Sequence, residues 1–251
     1  MASIVIGNDL GVQNSSLNKV GASNLDGLGT SGKAGEQVFV NTATGNLIIQ
    51  NVDENLVGAG VDTSILRTYN QFGQWDGDNG DNWRIGFYRR VYNLTGTLNT
   101  VGSTVTRINA DGSESLYTYD ADLDKYVTTD GAGAHQTLTY YNNQWTWSDA
   151  QGELLENYGP AAGSNWHLIS TVNKTSEVTR YNYDANERLI HVDEDWEKGQ
   201  DTYLDYDANG LLTRIRCESY SRNDDGSANT GQVRNYNTIY YTYYPEADGV
   251  S

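Results

Sequence analysis

The residues best suited to binding chemistry form an acidic loop, DGDNGDN, at positions 76–82. Asp76, Asp78 and Asp81 supply the carboxylate oxygens that Ca²⁺ prefers. Their spacing differs from that of an EF-hand, and no glutamate stands at the twelfth position of the loop. A plain hairpin loop rich in Asn and Gly has the same composition. The sequence therefore leaves a calcium site and an ordinary loop as alternatives here, and a weaker acidic loop, NDDG, follows at 223–226.

Other combinations of ligating or catalytic residues are sparse. The three histidines, His135, His167 and His191, lie far apart and do not form an HExxH motif. The single cysteine, Cys217, excludes an internal disulfide and a cysteine-based metal cluster. Because 33 aspartates and glutamates occur throughout the chain, a carboxylate pair by itself does not mark an active site. We predict no enzymatic activity and no cofactor beyond the calcium alternative, and we keep a glycosidase only as a third hypothesis.

Aromatic residues suggest a different kind of site. Trp145 and Trp147 are two positions apart on one strand face, and Tyr141 precedes them in the same alternation. A flat aromatic surface of this kind can stack on a pyranose ring of a glycan. In the competing interpretation, which the sequence favours, the same face is the packed interior of a sheet.

Composition limits the range of partners. The chain has a net charge of −17 and a pI near 4.3, which opposes binding to nucleic acid or to an anionic membrane surface. No run of 18 apolar residues predicts a membrane span, and the first residues lack the pattern of a signal peptide. If the protein is secreted or displayed at the cell surface, we expect the export signal to lie outside this chain or the export route to need no such peptide.

The elements that position these residues are short strands. Residues 1–36 are rich in Gly, Ser and Asn and predict a flexible segment. Residues 37–110 contain apolar residues at every second position around Gly and Asn turns, as in QVFVNTATGNLIIQNV, and predict opening hairpins. With 27 glycines, 2 prolines and 28 aromatic residues, the chain favours an all-β fold with little or no helix.

Residues 111–251 repeat one unit. The segments LYTYDADLDKYVTTDG, LTYYNNQWTWSDAQG, TRYNYDANERLIHVDED and TYLDYDANGLLTRIRCES each read as an aromatic strand, an Asx turn and a second strand. The turn residues recur with a period near 21. A tyrosine precedes the turn, and the following Asp accepts backbone N–H groups of the turn. The residues assigned this structural role are Tyr119, Asp120, Tyr183, Asp184, Tyr206 and Asp207.

An isolated hairpin cannot bury its apolar face, so such units must pair edge to edge. We therefore predict stacked antiparallel hairpins in one long curved sheet that runs from the opening hairpins through the repeats. The exposed edges of this sheet offer unpaired backbone groups, which allows dimerisation with a second copy.

The repeats resemble the YD-repeat (Rhs) family, whose loose pattern is G-x-x-x-x-Y-x-Y-D-x-x-G-R-L. Residues 181–189, YNYDANERL, match this pattern with Glu187 in place of the glycine, and residues 206–212 keep Gly210 but lose the arginine. Residues 40–47, 67–70 and 80–84 look like the opening of an Rhs repeat region. The resemblance, which covers roughly residues 38–251, implies a β-strip that spirals into a hollow shell. Such shells occur in polymorphic toxins and insecticidal toxin complexes, where they enclose an effector, and the repeats also occur in animal adhesion receptors.

The resemblance also implies a function. We expect a non-enzymatic structural scaffold, part of the repeat shell of a secreted or surface-associated bacterial toxin or surface protein. Its partners would be the rest of the same repeat protein or its cargo. The alternative is a glycan-binding or adhesive module that uses exposed Tyr and Trp on the sheet. The self-cleaving aspartyl motif of shell-forming members does not occur in this sequence, so we do not expect this piece alone to close a chamber.

Overall fold

A computed structural model of the chain describes residues 17–19, 37–41, 45–56, 63–72, 82–110, 112–128, 135–162, 165–194, 200–225 and 228–243. Within these ranges no α-helix occurs, and the prediction of an all-β fold is confirmed. The strands are β1 (Leu17–Lys19), β2 (Gln37–Asn41), β3 (Leu47–Leu56), β4 (Thr63–Asn70), β5 (Trp83–Ile85), β6 (Arg90–Thr95), β7 (Thr104–Ile108), β8 (Glu114–Asp120), β9 (Lys125–Val127), β10 (Thr137–Tyr141), β11 (Gln144–Ser148), β12 (Leu154–Pro160), β13 (Trp166–Asn173), β14 (Val178–Tyr183), β15 (Leu189–Glu194), β16 (Gln200–Tyr206), β17 (Leu212–Arg222) and β18 (Ala228–Tyr240).

The first five strands form a separate antiparallel sheet in the order β1-β2-β3-β4-β5. The β2–β3 hairpin places Val38 opposite Ile49, as expected from the alternation of apolar residues. Gly45, with φ of 75°, lies just before β3. Ile65 is completely buried and belongs to the main hydrophobic core, so the face of β4 that carries it contributes to the core of the molecule, whereas Ile48 is buried on the opposite face.

Strands β6–β13 close into a barrel. Strand β13 pairs with β12 along residues 154–160 and also with β6, where Trp166 lies opposite Val91. The pairing completes a circle of eight antiparallel strands. Eight strands enclose a space that side chains can just fill, so the interior is a packed core.

The prediction of one long curved sheet is therefore wrong in two respects. The sheet is interrupted between β5 and β6, and its middle part closes on itself. The boundary predicted at residues 110 and 111 falls within the barrel, between β7 and β8. Alternation and turn chemistry specify which strands form hairpins, but they do not specify that β13 returns to β6. Closure pairs the backbone groups that an open sheet would expose at its edges.

Strands β14–β18 continue from β13 as an open strip of antiparallel hairpins. We call β14–β18 the hairpin strip. A β-bulge recurs beside the same tyrosine position, where Tyr158 lies opposite Leu168, Tyr183 opposite Leu189 and Tyr206 opposite Leu212. A bulge bends its strand and increases the local twist, so successive hairpins share the same local distortion.

Aromatic rings dominate the barrel core. Trp145 is fully buried, and its ring packs edge-on against Tyr126 and Tyr140, each with a centroid distance of 5.0 Å. Tyr117 and Tyr158 are also fully buried. Edge-to-face packing of this kind adds to the gain from burying the rings.

The connection between the two sheets, residues 86–89, contacts the first sheet, the barrel and the hairpin strip. In the first sheet, the N–H of Gly86 donates to the carbonyl oxygen of Leu66 at 2.9 Å. Phe87 packs against Tyr181 of the hairpin strip, with a centroid distance of 6.1 Å. The next residue, Tyr88, makes a hydroxyl–hydroxyl hydrogen bond with Tyr206. Arg89 reaches into the barrel and pairs with Glu156. This short segment therefore fixes the first sheet, the barrel and the hairpin strip relative to one another.

Candidate functional site

The turns of the hairpin strip share one hydrogen-bond pattern around an aspartate. The Oδ1 atom of Asp184 accepts the backbone N–H groups of Asn186 and Arg188, both at 2.9 Å. In the next unit, Oδ1 of Asp207 accepts from Asn209 at 2.8 Å and from Leu211 at 2.9 Å. Each carboxylate thus satisfies two turn N–H groups that would otherwise have no acceptor within the hairpin.

The same turn requires a positive φ three residues after the aspartate. Gly210 has φ of 88°, and Glu187 takes the same position with φ of 64°. The turn at Asn173 follows the same pattern, since its Oδ1 accepts the N–H of Glu177 and Ser176 has φ of 63°. The glycine of the YD pattern is therefore a backbone requirement, which two of these three turns meet with a non-glycine residue at a cost.

The tyrosines that precede the turns at Asp184 and Asp207 connect one unit to the preceding one. The hydroxyl of Tyr183 donates to the carbonyl oxygen of Leu168 at 2.8 Å, and that of Tyr206 donates to Leu189 at 2.8 Å. The hydroxyl of Tyr243 donates to Leu212 at 2.9 Å. We call this contact the tyrosine clasp.

The arginine of the YD pattern is present in one of these turns, as Arg188. Arg188 donates from Nε and Nη2 to Oδ2 of Asp184 at 2.8 and 2.7 Å. Its guanidinium carbon also lies 4.9 Å from the ring centroid of Tyr206, the clasp tyrosine of the next unit. The Tyr, Asp and Arg of the pattern therefore all act at the contacts within and between hairpins.

The earlier predicted turn pair, Tyr119 and Asp120, lies in the barrel and makes more local contacts. Oδ1 of Asp120 accepts the N–H groups of Asp122 at 2.9 Å and Leu123 at 3.2 Å. The hydroxyl of Tyr119 donates to Asp124 at 2.6 Å rather than to a neighbouring hairpin. This unit has the Asx turn without the clasp.

A buried ion cluster crosses the barrel, and sequence reasoning did not identify it. Glu156 on β12 and Arg107 on β7 are both almost completely buried, and Nη2 of Arg107 donates to Oε2 of Glu156 at 2.6 Å. Arg89 donates to the other carboxylate oxygen, and the hydroxyl of Tyr158 donates to Glu156 as well. Arg107 also lies over the ring of Trp147, 4.0 Å from its centroid. We call Arg89, Arg107, Glu156 and Tyr158 the barrel ion cluster.

Electrostatic interactions within the barrel ion cluster favour the charged forms of Glu156, Arg89 and Arg107. Burial alone would raise the pKa of Glu156, but the adjacent guanidinium groups of Arg107 and Arg89 and the hydroxyl of Tyr158 hold it at about 2. Burial also raises the pKa of the Tyr158 hydroxyl well above its ordinary value, so this group remains a proton donor. The cluster links β12 to β7, the strands on either side of the closing β6–β13 pair, and so supports closure of the barrel.

The opening motif in the first sheet is held by a buried amide pair. Nδ2 of Asn46 donates to Oδ1 of Asn70 at 2.9 Å, and Oδ1 of Asn46 accepts the N–H of Phe72 at 3.1 Å. Both asparagine residues are fully buried. Both asparagines lie in sequence that is typical of turns. Their buried hydrogen bonds in the first sheet nevertheless favour an asparagine at each position.

The first sheet also contacts the end of the hairpin strip. Arg67 donates from Nε to Asp53 at 2.8 Å, and the hydroxyl of Tyr241 donates to the same carboxylate at 2.8 Å. The guanidinium of Arg67 lies between the rings of Trp83 and Tyr241. The pocket lined by Arg67, Trp83 and Tyr241 has a volume of about 30 Å³, which is enough space for water.

The predicted glycan platform is not assembled. Trp145 and Trp147 are buried in the barrel, with exposures of 0% and 5%, whereas Tyr141 is 78% exposed. Trp147 donates its indole N–H to the buried hydroxyl of Tyr117 at 2.9 Å. The pleat directs both tryptophans into the barrel, so the three residues do not share an exposed surface, and this assignment is corrected.

The predicted calcium ligands Asp76, Asp78 and Asp81 lie outside the described residues. In the second acidic loop, Asp224 and Asp225 are exposed to solvent. Among the residues that the structure describes, no three His, Cys, Asp or Glu side chains come together as metal ligands. No helix within the same ranges has the length and hydrophobicity needed to cross a membrane.

Comparison with known protein families gives a match to part of the chain. Residues 38–117, about a third of the chain, match a family model described as a domain of unknown function, DUF6531. The matched stretch runs from β2 into β8 and contains the Asn46–Asn70 pair, the connection at residues 86–89 and Arg107. No curated protein matches the chain.

Proposed function

We propose that this chain is a non-enzymatic structural scaffold in which a closed barrel starts a wall of YD-type hairpins. In this proposal the wall forms part of the shell of an exported toxin or surface protein of a bacterium. Its partners are the remainder of the same repeat protein or a cargo enclosed by it. The observation that carries the proposal is the recurrence of the tyrosine clasp between successive units.

The clasp supports this role because it joins each unit to its predecessor and needs no ligand. Tyr183, Tyr206 and Tyr243 each donate to the leucine carbonyl at the corresponding position of the unit before. A module with this property can be extended by adding further units of the same kind. Such nearest-neighbour contacts are typical of repeat proteins whose function is to build a surface.

The free edge of the hairpin strip supports the same interpretation. Strand β18 is 13 residues long and, among the described strands, pairs only with β17. A long edge strand presents a row of N–H and C=O groups that can pair with another strand. Since Tyr243 already occupies the clasp position after β18, the occupant that fits is a further hairpin of the same type. Pairing of the same edge with a second copy of the chain is the other arrangement that this edge allows.

Extension of the strip tests the proposal. In the test protein, the residues after Tyr243 are replaced by a copy of residues 207–243, which adds one unit in register. We expect the backbone amides of β18 to become protected from hydrogen exchange and the urea m-value to rise with the additional buried surface. The matched control carries the same extension with Ala in place of the copied turn aspartate and Phe in place of the copied clasp tyrosine.

Two outcomes have clear meanings. Greater protection of β18 in the extended protein than in the matched control supports the scaffold. If β18 remains unprotected in both proteins, the edge does not accept a repeat unit and the scaffold proposal fails. Measurement at several protein concentrations separates extension from pairing of two copies, because only the latter depends on concentration.

A glycan-binding or adhesive role is the second proposal, and it is supported by the exposed rings of Tyr141 and Tyr240, which are 78% and 72% accessible. A glycan array followed by isothermal titration of the positive sugars tests it. Loss of binding in Tyr141→Ala or Tyr240→Ala, with Tyr119→Phe as the control, would support it. The absence of binding at millimolar sugar would exclude it.

A further inference from the structure

His167 lies at the joint between the barrel and the hairpin strip. It is on β13, the strand that pairs with β12 and β6 in the barrel and with β14 in the strip. The side chain is 6% exposed, and within the described part of the chain its Nε2 atom has no hydrogen-bond partner. A buried imidazole nitrogen without a partner is costly, which suggests that its state is tied to function.

The groups around His167 come from three elements. Arg90 on β6 is its direct cross-strand neighbour, and the ring of Tyr183 on β14 packs against the imidazole with a centroid distance of 4.6 Å. The carboxylate of Glu187, in the turn between β14 and β15, has its Oε2 atom 3.7 Å from Nε2. On β12 the opposite residue is Gly159, which brings no titratable group.

Glu187 also holds the neighbouring loop. Its Oε1 atom accepts the backbone N–H of Ala162, in the segment that connects β12 to β13. The turn of the first strip hairpin is thus attached to the barrel through one carboxylate, and that carboxylate faces the buried imidazole. A change in the charge of His167 acts directly on this attachment.

We propose that His167 is the proton sensor of an acid-sensitive joint, at which protonation of Nε2 by solvent releases the turn at residues 184–188 from the loop at Ala162. In the closed joint the imidazole is neutral, since the guanidinium of Arg90 and the lack of solvent both oppose a positive charge. Burial first, and then Arg90, lower the pKa of His167 to about 4, although Glu187 acts in the opposite direction. The open joint exposes the imidazole to water, where it takes up a proton near its ordinary pKa of about 6.5.

The direction of the effect follows from proton linkage. The closed joint binds fewer protons than the open joint between pH values of about 6.5 and 4, so acidification through this window favours opening. The barrel and its ion cluster do not take part in this equilibrium, because Glu156 stays ionised through the same window. The joint can therefore open while the barrel remains folded.

NMR titration of the intact protein tests the proposal. The chain has only three histidines, so imidazole Cε1–H signals can be assigned with the variants H135Q, H167Q and H191Q. We expect the His167 signal to remain that of a neutral imidazole to below pH 5.5. Amide exchange at Ala162 and Glu187, corrected for the intrinsic pH dependence of exchange, should accelerate as the pH falls further.

Two charge variants make the test specific. E187Q removes the carboxylate that favours an imidazolium in the closed joint, so it widens the difference in proton binding between the closed and open joints and should move the opening to higher pH. R90Q removes the repulsive guanidinium, so it narrows that difference and should move the opening to lower pH. H167F should abolish the acid-dependent exchange at Ala162. Titration of His167 near pH 6.5 in the folded protein, or the same acid-dependent exchange in H167F and the wild type, would overturn the proposal. Shifts of E187Q and R90Q in opposite directions would support it even if H167F does not fold.

Discussion

The hydroxyl of Tyr183 donates to the carbonyl oxygen of Leu168 across 2.8 Å, and it thereby joins the first hairpin of the strip to the last strand of the barrel. The same contact recurs between Tyr206 and Leu189 one unit later. The YD motif is thus a connection between units as well as a turn signal within one unit. The contribution of this contact to the stability of the repeat can be measured.

Removal of a single clasp should lower stability by a modest and reproducible amount. We expect Tyr183→Phe to reduce the free energy of unfolding by about 1 kcal/mol, because one intramolecular hydrogen bond is lost while the ring packing is kept. Urea denaturation measures this change. Tyr141→Phe is the matched control, since Tyr141 is largely exposed and should change stability by less than about 0.5 kcal/mol. Equal effects of the two substitutions would show that the clasp contributes nothing to stability.

The turn aspartates should contribute more to the free energy of unfolding than acidic residues that lie nearby. We expect Asp207→Ala to cost about 1–2 kcal/mol, because the N–H groups of Asn209 and Leu211 lose a charged acceptor. Asp122→Ala provides the comparison, since Asp122 is an exposed turn residue, and we expect little change. Thermal melts at pH 7 suffice for the measurement. A loss in Asp122→Ala as large as that in Asp207→Ala would contradict the assigned role of the Asx turn.

Backbone strain at the turns should be relieved by glycine and increased by its removal. Ser176 has φ of 63° and is exposed, so Ser176→Gly should raise the free energy of unfolding by about 0.5–1 kcal/mol. Gly210 has φ of 88°, so Gly210→Ala should lower it by about 1 kcal/mol. The two substitutions add or remove a similar number of atoms at equivalent positions. Changes of the same sign in both would show that φ does not decide stability at these turns.

The barrel ion cluster should give acid sensitivity in a window of its own. The pKa of Glu156 is lowered to about 2 in the folded protein, so its contribution to stability is complete above the unfolded pKa of about 4.5 and is lost as the pH falls toward 2. Glu156→Gln should remove this dependence. It should also cost about 3–5 kcal/mol at pH 7, because Arg89 and Arg107 lose their buried counter-charge. Unfolding free energies measured from pH 7 to 2 test both effects, and an unchanged pH dependence in Glu156→Gln would contradict the assignment.

The sequence by itself determined the class of fold and the local chemistry of the repeats. Alternating apolar residues around Asx and Gly turns specify antiparallel hairpins, because strand pairing between sequence neighbours depends on local backbone geometry. The positions of Asp184, Asp207 and Gly210 follow from the same local rules. These features therefore required no knowledge of distant contacts.

Only the tertiary structure decided how the hairpins are arranged. The pairing of Trp166 with Val91 closes the barrel between strands that are distant in sequence, and alternation does not specify which distant edge a strand meets. The same closure places Trp145 and Trp147 inside the barrel, and it brings Arg107 to Glu156 across 49 positions of the chain. An arginine on an alternating strand looks the same in sequence whether it faces solvent or a buried carboxylate. The barrel ion cluster could therefore be identified only from the tertiary structure.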